Sequence, residues 1–210
     1  KKNGGWDKNF DPREVNNNYT EGNAWQYTFF VPQDIPGMIE AYGGNDKFEA
    51  KLDEMFNSES KTTGRQQVDV TGLIGQYAHG NEPSHHMTYL YNYIGKPEKT
   101  NEKVSYILNN FYKNTPDGLI GNEDCGQMSA WYVLSSIGIY AVTPGLKSWS
   151  TSTPFFSKIK VHFENKTSKT ITPLTTEFEL RTFEDSNDED ESAPVPDDMS
   201  SYKPRKEYYQ

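Results

Sequence analysis

The distribution of apolar residues along the chain predicts a helical first part and a strand-forming second part. Four stretches carry apolar residues at three- and four-residue spacing, the pattern of an amphipathic helix. They begin near Ile35, Asn45 (expected to cap its helix), Pro83 and Pro97. The double glycine after Tyr42 and Gly95 are typical helix stops, so we expect these segments to form consecutive helices joined by short turns.

A fifth helix is predicted from Met128, Trp131 and Ser135 to a stop at Gly138. Ala130 and Val133 are expected to widen its apolar side. Residues 21–31 fit either a helix or a buried strand, because a short apolar run does not distinguish the two. Residues 57–70 are predicted to be a polar loop.

The pattern changes after Pro144-Gly145. Residues 155–163 and 170–183 alternate apolar and polar positions, which predicts strands, and Asn165-Lys166 stands where a hairpin turn is expected. Six of the eight residues from Glu184 to Glu191 are acidic, and such a segment is typical of disorder. We therefore divide the chain into a helical region (1–145), a short strand region (146–183) and an acidic, Pro-rich tail (184–210).

Composition restricts the function classes. The formal net charge is −9, which argues against a nucleic-acid partner, because phosphate binding needs a basic surface. A single cysteine excludes an internal disulfide framework, and no apolar run approaches the roughly 20 residues that a membrane helix needs. Only 33% of the residues are apolar, but 14% are aromatic. We expect a thin, aromatic-rich core that normally packs against a further part of a protein.

Three clusters repeat one theme, a Gly-Asn pair beside acids that leads into an aromatic helix. They are Glu21-Gly22-Asn23, Gly80-Asn81-Glu82 and Gly121-Asn122-Glu123-Asp124. Glycine lets the backbone approach a ligand, and Asn both donates and accepts hydrogen bonds, as sugar hydroxyls require. The alternative is that these polar residues are helix caps, which is where Asn, Asp and Glu often lie.

The second cluster also contains histidines. His79, Glu82 and His86 could share one face and bind zinc, although they do not form a His-Glu-x-x-His motif. A hard cation held by Glu82 and carbonyl oxygens is the other interpretation. Glu21 and either Glu123 or Asp124 could act as a general acid and a general base across a sugar. The residues alone therefore indicate a hydrolase without fixing its geometry.

Three longer motifs resemble the signatures of glycoside hydrolase family 92 and occur in the family's order. They run from Glu21 to Tyr27, from Gly80 to His86 and from Gly121 to Tyr132. The resemblance covers roughly residues 5–180. It implies a mainly α fold, part of an (α/α)6 barrel built from helical hairpins, followed by the short β region and the disordered acidic tail. It also implies a secreted, periplasmic or cell-surface enzyme.

The resemblance implies a calcium-dependent, inverting exo-α-mannosidase that acts on mannose-containing oligosaccharides of N-glycans or mannans. Glu21 would be the general acid, Asp124 the general base and Glu82 a calcium ligand. The residues expected to contact the sugar are Asn23, Trp25, Asn81, Glu82, His85, His86, Asn122 and Glu123. Family members often carry an acid two positions before the base, where this chain has Asn122, so an assisting role there is in doubt.

The family's N-terminal β-sandwich and first barrel helices are absent from this sequence. The expected partners are therefore that sandwich domain and the remaining barrel helices, with no nucleic acid and no membrane. Two other hypotheses remain open at this point: a carbohydrate-binding or degenerate module that retains the cleft without hydrolysis, and a structural fragment with no competent site.

Overall fold

A computed structural model of the protein describes residues 4–16, 18–146 and 148–173. The chain divides into two units between Phe155 and Phe156, about ten residues after the predicted boundary at 145. The predicted tail at 184–210, and residues 174–183 of the second predicted strand, lie outside the described residues.

The first unit combines helices, which lie where the apolar spacing predicts them, with small two-stranded sheets. In its described part the α-helices are α1 (Ala24–Thr28), α2 (Ile35–Tyr42), α3 (Asn45–Asn57), α4 (Pro97–Asn110) and α5 (Gln127–Ile137). The segment that fitted either a helix or a strand is therefore helical at its centre. None of the described helices is long and apolar enough to cross a membrane.

The ends of α2 and α3 follow from local sequence. The Asp34 side chain accepts a hydrogen bond from the backbone N–H of Gly37 at 2.8 Å, which caps α2. Gly43 ends that helix with φ +92°, a conformation that glycine adopts without a steric penalty. The prediction that Asn45 caps α3 was wrong: Gly44 is the cap and Asn45 is the first helical residue, because the left-handed glycine pair leads directly into the helix.

The stretch after Pro83 differs from the predicted α-helix. It forms two 3₁₀-helices, Glu82–Ser84 and Met87–Ile94, and ends at Gly95 with φ +73°. Runs of 3₁₀-helix longer than three or four residues are uncommon. Six of the eight residues of Met87–Ile94 are buried, so we attribute the local geometry to packing against the neighbouring elements.

The expected contribution of Ala130 and Val133 to the apolar face of α5 was wrong. Both are exposed, whereas Met128, Trp131 and Ser135 are buried. The buried residues recur at three and four positions and share one side of the helix, and residues 130 and 133 lie on the other.

Short two-stranded pairs tie the loops of the first unit together. Parallel strands β1 (Glu14–Val15) and β2 (Thr63–Gly64) pair, and β2 lies within the predicted loop at 57–70. Antiparallel pairs join β3 (Leu73–Ile74) to β4 (Tyr77–Ala78), and β5 (Ile139–Tyr140) to β6 (Ser150–Thr151). Each pair fixes a connection between helices rather than forming a sheet core.

The core is rich in aromatic residues, as composition predicts. Its largest fully buried side chains include Trp131, Tyr77, Tyr89, Tyr91, Phe29 and Phe48. Burying a ring removes a large apolar area from water, which compensates for the small number of aliphatic residues.

The second unit contains an antiparallel hairpin of β7 (Ile159–His162) and β8 (Ser168–Ile171). At its turn the Asn165 side chain accepts a hydrogen bond from the backbone N–H of Thr167 at 3.0 Å, and Lys166 has φ +66°. The turn at Asn165-Lys166 and a strand within residues 155–163 are therefore confirmed. The second strand begins at Ser168, two residues before the prediction, and overlaps the predicted range 170–183 only at residues 170 and 171 in the described part of the chain.

Candidate active site

The three Gly-Asn loops precede three helical segments and are connected to one another. The Asn81 side chain donates a hydrogen bond to the backbone carbonyl of Glu21 at 3.0 Å, which joins the second loop to the first. Burial raises the pKa of the Glu82 side chain, and the Asp124 carboxylate lies near enough to raise it further, so the second loop lies beside the third. Gly80 and Gly121 also pack closely, since a Cβ atom added at Gly121 would lie 3.2 Å from the Cα atom of Gly80.

Glu21 is exposed and has a left-handed backbone with φ +56°. The hydrogen bond from Asn81 holds its carbonyl in this conformation, which L-residues adopt at a steric cost. Burial raises the pKa of the nearby Tyr27 hydroxyl, and the Glu21 charge raises it further. The Glu21 carboxylate is thus accessible to a ligand, and its main-chain position is fixed by the second loop.

Asp124 and Cys125 also have left-handed backbones, with φ +53° and +54°. Both side chains are exposed at the start of α5. Non-glycine residues held in this region concentrate at functional sites. Among the described residues, only Lys166, in the hairpin turn, shares this feature with Glu21, Asp124 and Cys125.

Glu82 lies half-buried between carboxylates. Burial raises the pKa of its side chain above the usual value, and the Asp124 and Asp69 charges raise it further, while its own backbone N–H opposes the shift. Like charges that share a site disfavour ionisation of both. A proton on Glu82, or a bound cation, would relieve this repulsion.

Two predicted sugar contacts have capping roles in the structure, which is the alternative that the sequence left open. The Asn23 side chain accepts a hydrogen bond from the backbone N–H of Trp25 at 3.0 Å, and so caps α1. The Glu123 carboxylate accepts hydrogen bonds from the backbone N–H groups of Gly126 and Ser129 at the start of α5. Trp25 is buried in the core.

The predicted sugar contacts His85 and His86 are buried and bound to main-chain carbonyls. The Nε2 atom of His86 donates to the carbonyl of Phe29 at 2.8 Å, and that of His85 to the carbonyl of His79 at 2.9 Å. Burial lowers the pKa of both rings, that of His85 to about 4. Because Nε2 of His85 is a donor, its Nδ1 atom accepts from the Gln127 side chain at 3.0 Å. His85 therefore supports the first turn of α5, three residues after Asp124.

His79 lies fully buried between two tyrosines. Its ring nitrogens are each 2.7 Å from a hydroxyl, Nδ1 from that of Tyr77 and Nε2 from that of Tyr112. The Tyr112 hydroxyl donates its proton to the carbonyl of Met128 at 3.1 Å, so the His79 Nε2–H donates to Tyr112 and Tyr77 donates to Nδ1. Burial lowers the pKa of His79 well below its usual value. The ring is a neutral link between the second loop and α5.

Within the described residues, the histidines of the second loop are not arranged to bind zinc. In the part of the chain that the structure describes, no group of three or more His, Cys, Asp or Glu side chains is placed to hold a metal. His79 and His85 use both ring nitrogens in internal hydrogen bonds, and His86 uses its Nε2 atom. Glu82 remains as a carboxylate with unfavourable negative charge around it.

Sequence reasoning missed three residues that connect the loops: Asp69, Tyr112 and Gln127. Gln127 belongs to the third motif, and its position next to a helix start was a signal that could have identified it. Asp69 lies in a stretch predicted only as a polar loop, and nothing in the local pattern distinguishes it. Tyr112 follows α4 and has no motif around it.

The chain matches known proteins across most of its length. A family model described as the glycosyl hydrolase family 92 catalytic domain matches residues 1–190. The structure of the family GH92 α-mannosidase BT3965 from Bacteroides thetaiotaomicron is similar, with a TM-score of 0.70 and 41% identity over 80% of this chain and 22% of that chain. A second structure of that protein contains mannoimidazole, with a TM-score of 0.72 and 39% identity over 81% and 23%.

Two further relatives are named as a mannosidase and a glycosidase. The inverting mannosidase BT2199 of the same organism gives a TM-score of 0.66 and 34% identity over 81% of this chain and 24% of that chain. An uncharacterized secreted glycosidase of Arthroderma benhamiae is 29% identical over 161 residues, which are 77% of this chain and 19% of that protein. The chain thus spans about a fifth to a quarter of the length of these relatives.

Proposed function

The chain belongs to glycosyl hydrolase family 92, and on this premise we propose that it forms part of the catalytic domain of an α-mannosidase. What supports the proposal is the meeting of the three loops that carry Glu21, Glu82 and Asp124, residues distant in sequence. The similar structures are named as α-mannosidases, and one of them holds mannoimidazole. The substrate class is therefore α-linked mannosides, those of N-glycans or mannans.

The reaction is hydrolysis with inversion at the anomeric carbon. Glu21 protonates the departing glycosidic oxygen, and Asp124 takes a proton from the attacking water. Inverting enzymes keep these two carboxyl groups roughly 6.5–9.5 Å apart, which leaves room for the water. Both residues are exposed on strained backbone segments, so the loops hold them at fixed positions before a substrate binds.

Calcium is the cofactor that the donor atoms of the site fit best. Glu82 is the ligand that this chain would supply, because a cation would neutralise the charge that Asp69 and Asp124 place around it. Calcium prefers oxygen ligands and binds six to eight of them, so other ligands would come from carbonyl groups, substrate hydroxyls and the rest of the domain. When bound, the ion would supply positive charge near the sugar.

Chelation of calcium should abolish mannose release by the intact enzyme. Full mannose release without calcium would contradict this part of the proposal.

The complete site needs protein beyond this chain. Because the chain spans only about a quarter or less of the similar structures, we propose that an N-terminal β-sandwich domain and the remaining helices of an (α/α)6 barrel complete the cleft. A secreted location is proposed from the secreted glycosidase among the relatives.

Replacement of Glu21 by Gln in the intact enzyme tests the function. Mannose release from a methyl α-mannoside should fall by about 10²–10⁴-fold, the usual contribution of a general acid. A substrate with an acidic aryl leaving group should be affected less, because its oxygen departs without protonation. Glu40→Gln is the matched control, since Glu40 is exposed on α2. Unchanged turnover of the methyl glycoside in Glu21→Gln would contradict the assignment.

A further inference from the structure

The residues from Gln67 to Gly72, here called the 67–72 segment, lie against the second loop. The backbone N–H of Gly80 donates to the carbonyl of Thr71, and that of His79 to the carbonyl of Gly72, both at 3.1 Å. A Cβ atom on Gly80 would overlap the Thr71 hydroxyl and lie 3.0 Å from the carbonyl oxygen of Asp69. The contact is therefore made backbone to backbone, at a distance that only glycine permits.

The same segment contacts the third loop. The Asn122 side chain donates a hydrogen bond to Oδ1 of Asp69 at 2.8 Å, across 53 residues of sequence. A Cβ atom on Gly121 would lie 2.9 Å from the Thr71 hydroxyl. The 67–72 segment thus touches both loops that carry the acidic residues Glu82 and Asp124.

Asp69 is itself fixed in place. Its second oxygen, Oδ2, accepts from the Gln67 side chain at 2.9 Å, and its carbonyl accepts from the backbone N–H of Thr71 at 2.9 Å. The residue is only partly exposed. Its carboxylate therefore presents Oδ1 to Asn122 from a defined position.

The third loop needs such an anchor. Its two left-handed residues, Asp124 and Cys125, persist only where their surroundings over-determine the conformation. On the helix side, Glu123 caps α5 and Gln127 binds His85. On the other side, the hydrogen bond between Asn122 and Asp69 is the corresponding constraint, two residues before Asp124.

We propose that Asp69 is a positioning residue, which holds Asn122 and thereby fixes the loop that presents Asp124. This role rests on the proposed function of Asp124 as the general base. Asp69 does not need to contact the substrate, because its hydrogen bond with Asn122 is what holds the loop. Asp69→Asn should therefore keep residues 121–126 in place, because a carboxamide oxygen also accepts the hydrogen bond from Asn122. The same change removes the charge that Asp69 places near Glu82, so hydrogen exchange of the loop, and not kcat, is the readout for this variant.

The test is a double-mutant cycle in the intact enzyme with Asp69→Ala, Asn122→Ala and the double variant, read by two methods. Hydrogen–deuterium exchange should be faster at residues 121–126 in all three variants and unchanged in Asp69→Asn. The value of kcat should fall about tenfold in each Ala variant with no further fall in the double variant, since both changes remove one interaction. Asp117→Ala, in an exposed turn, is the matched control, and thermal unfolding checks that every variant is folded.

Unchanged exchange at 121–126 in Asp69→Ala would overturn the anchoring role. Faster exchange with unchanged kcat, or losses in kcat that multiply in the double variant, would overturn the positioning role. If the unmodified enzyme releases no mannose, the proposed function fails and the positioning role fails with it, while the exchange rates still decide whether Asp69 anchors the loop.

Discussion

At the residue scale, the candidate site contains backbone conformations that could not be predicted from the amino-acid types of its residues. Glu carries no sequence signal for a left-handed backbone and Asp only a weak one, yet Glu21 and Asp124 both adopt it. The motifs identified these residues as site candidates, and the strain supplies an independent physical reason to consider them functional. Their holding partners, Asn81 and Asp69, lie 60 and 55 positions away in sequence, beyond the reach of any local pattern.

Glycine positions give a prediction at this scale. Gly75 has φ +59°, and a Cβ atom there would overlap the carbonyl oxygen of Met55 and lie 2.6 Å from that of Phe56. Gly75→Ala should lower the free energy of unfolding by about 2–5 kcal/mol, because steric overlap adds to the cost of a left-handed alanine. Gly95→Ala is the matched control, with φ +73° but nothing within 4 Å, and should cost about 1–2 kcal/mol. Equal losses in urea unfolding would contradict the steric argument.

At the element scale, the apolar spacing predicted where helices lie better than what kind they are. The boundaries of α2 and the start of α4 agree with the sequence, because Pro36, Pro97 and the Gly43-Gly44 pair mark them. The 3₁₀ geometry of Met87–Ile94 could not be predicted, since apolar residues at three-residue spacing fit both helix types. Six of its eight residues are buried against neighbours that include α4 and α5, and tertiary packing of this kind overrides local preference.

The contact between that 3₁₀-helix and α5 provides the element-scale prediction. The buried Tyr89 hydroxyl donates to Oγ of the buried Ser135 at 2.8 Å. Tyr89→Phe and Ser135→Ala should each lower the free energy of unfolding by about 1–3 kcal/mol, because each leaves a buried polar group without its partner. The double variant should cost less than the sum, by at least about 0.5 kcal/mol. Strict additivity in urea unfolding would show that the two groups do not interact.

At the scale of the whole molecule, the sequence predicted the succession of elements and the family, while the links between distant loops came only from the structure. The five helical stretches and the hairpin have local periodicity and turn residues as signals. The hydrogen bonds of His79, His85 and His86, which join loops to helices, have no such signal. Polar residues in a motif are equally suited to binding a ligand and to binding the backbone, so only their positions in space distinguish the two roles.

The buried histidines make the stability of the whole fold depend on pH. In the unfolded chain a histidine gains a proton below about pH 6.5, but burial, partly opposed by the bond to the His79 carbonyl, lowers the pKa of His85 to about 4. Between these values the unfolded state binds more protons, so stability falls as the pH falls through this window and the His85 contribution stays lost below it. His85 alone should account for a loss in the free energy of unfolding on the order of 3 kcal/mol between pH 7 and pH 4.

The variant His85→Gln tests this account. Chemical unfolding across this range should give a free energy of unfolding that depends less steeply on pH for His85→Gln than for the unmodified protein. A slope for His85→Gln identical to that of the unmodified protein would show that His85 titrates in the folded protein as it does in the unfolded chain.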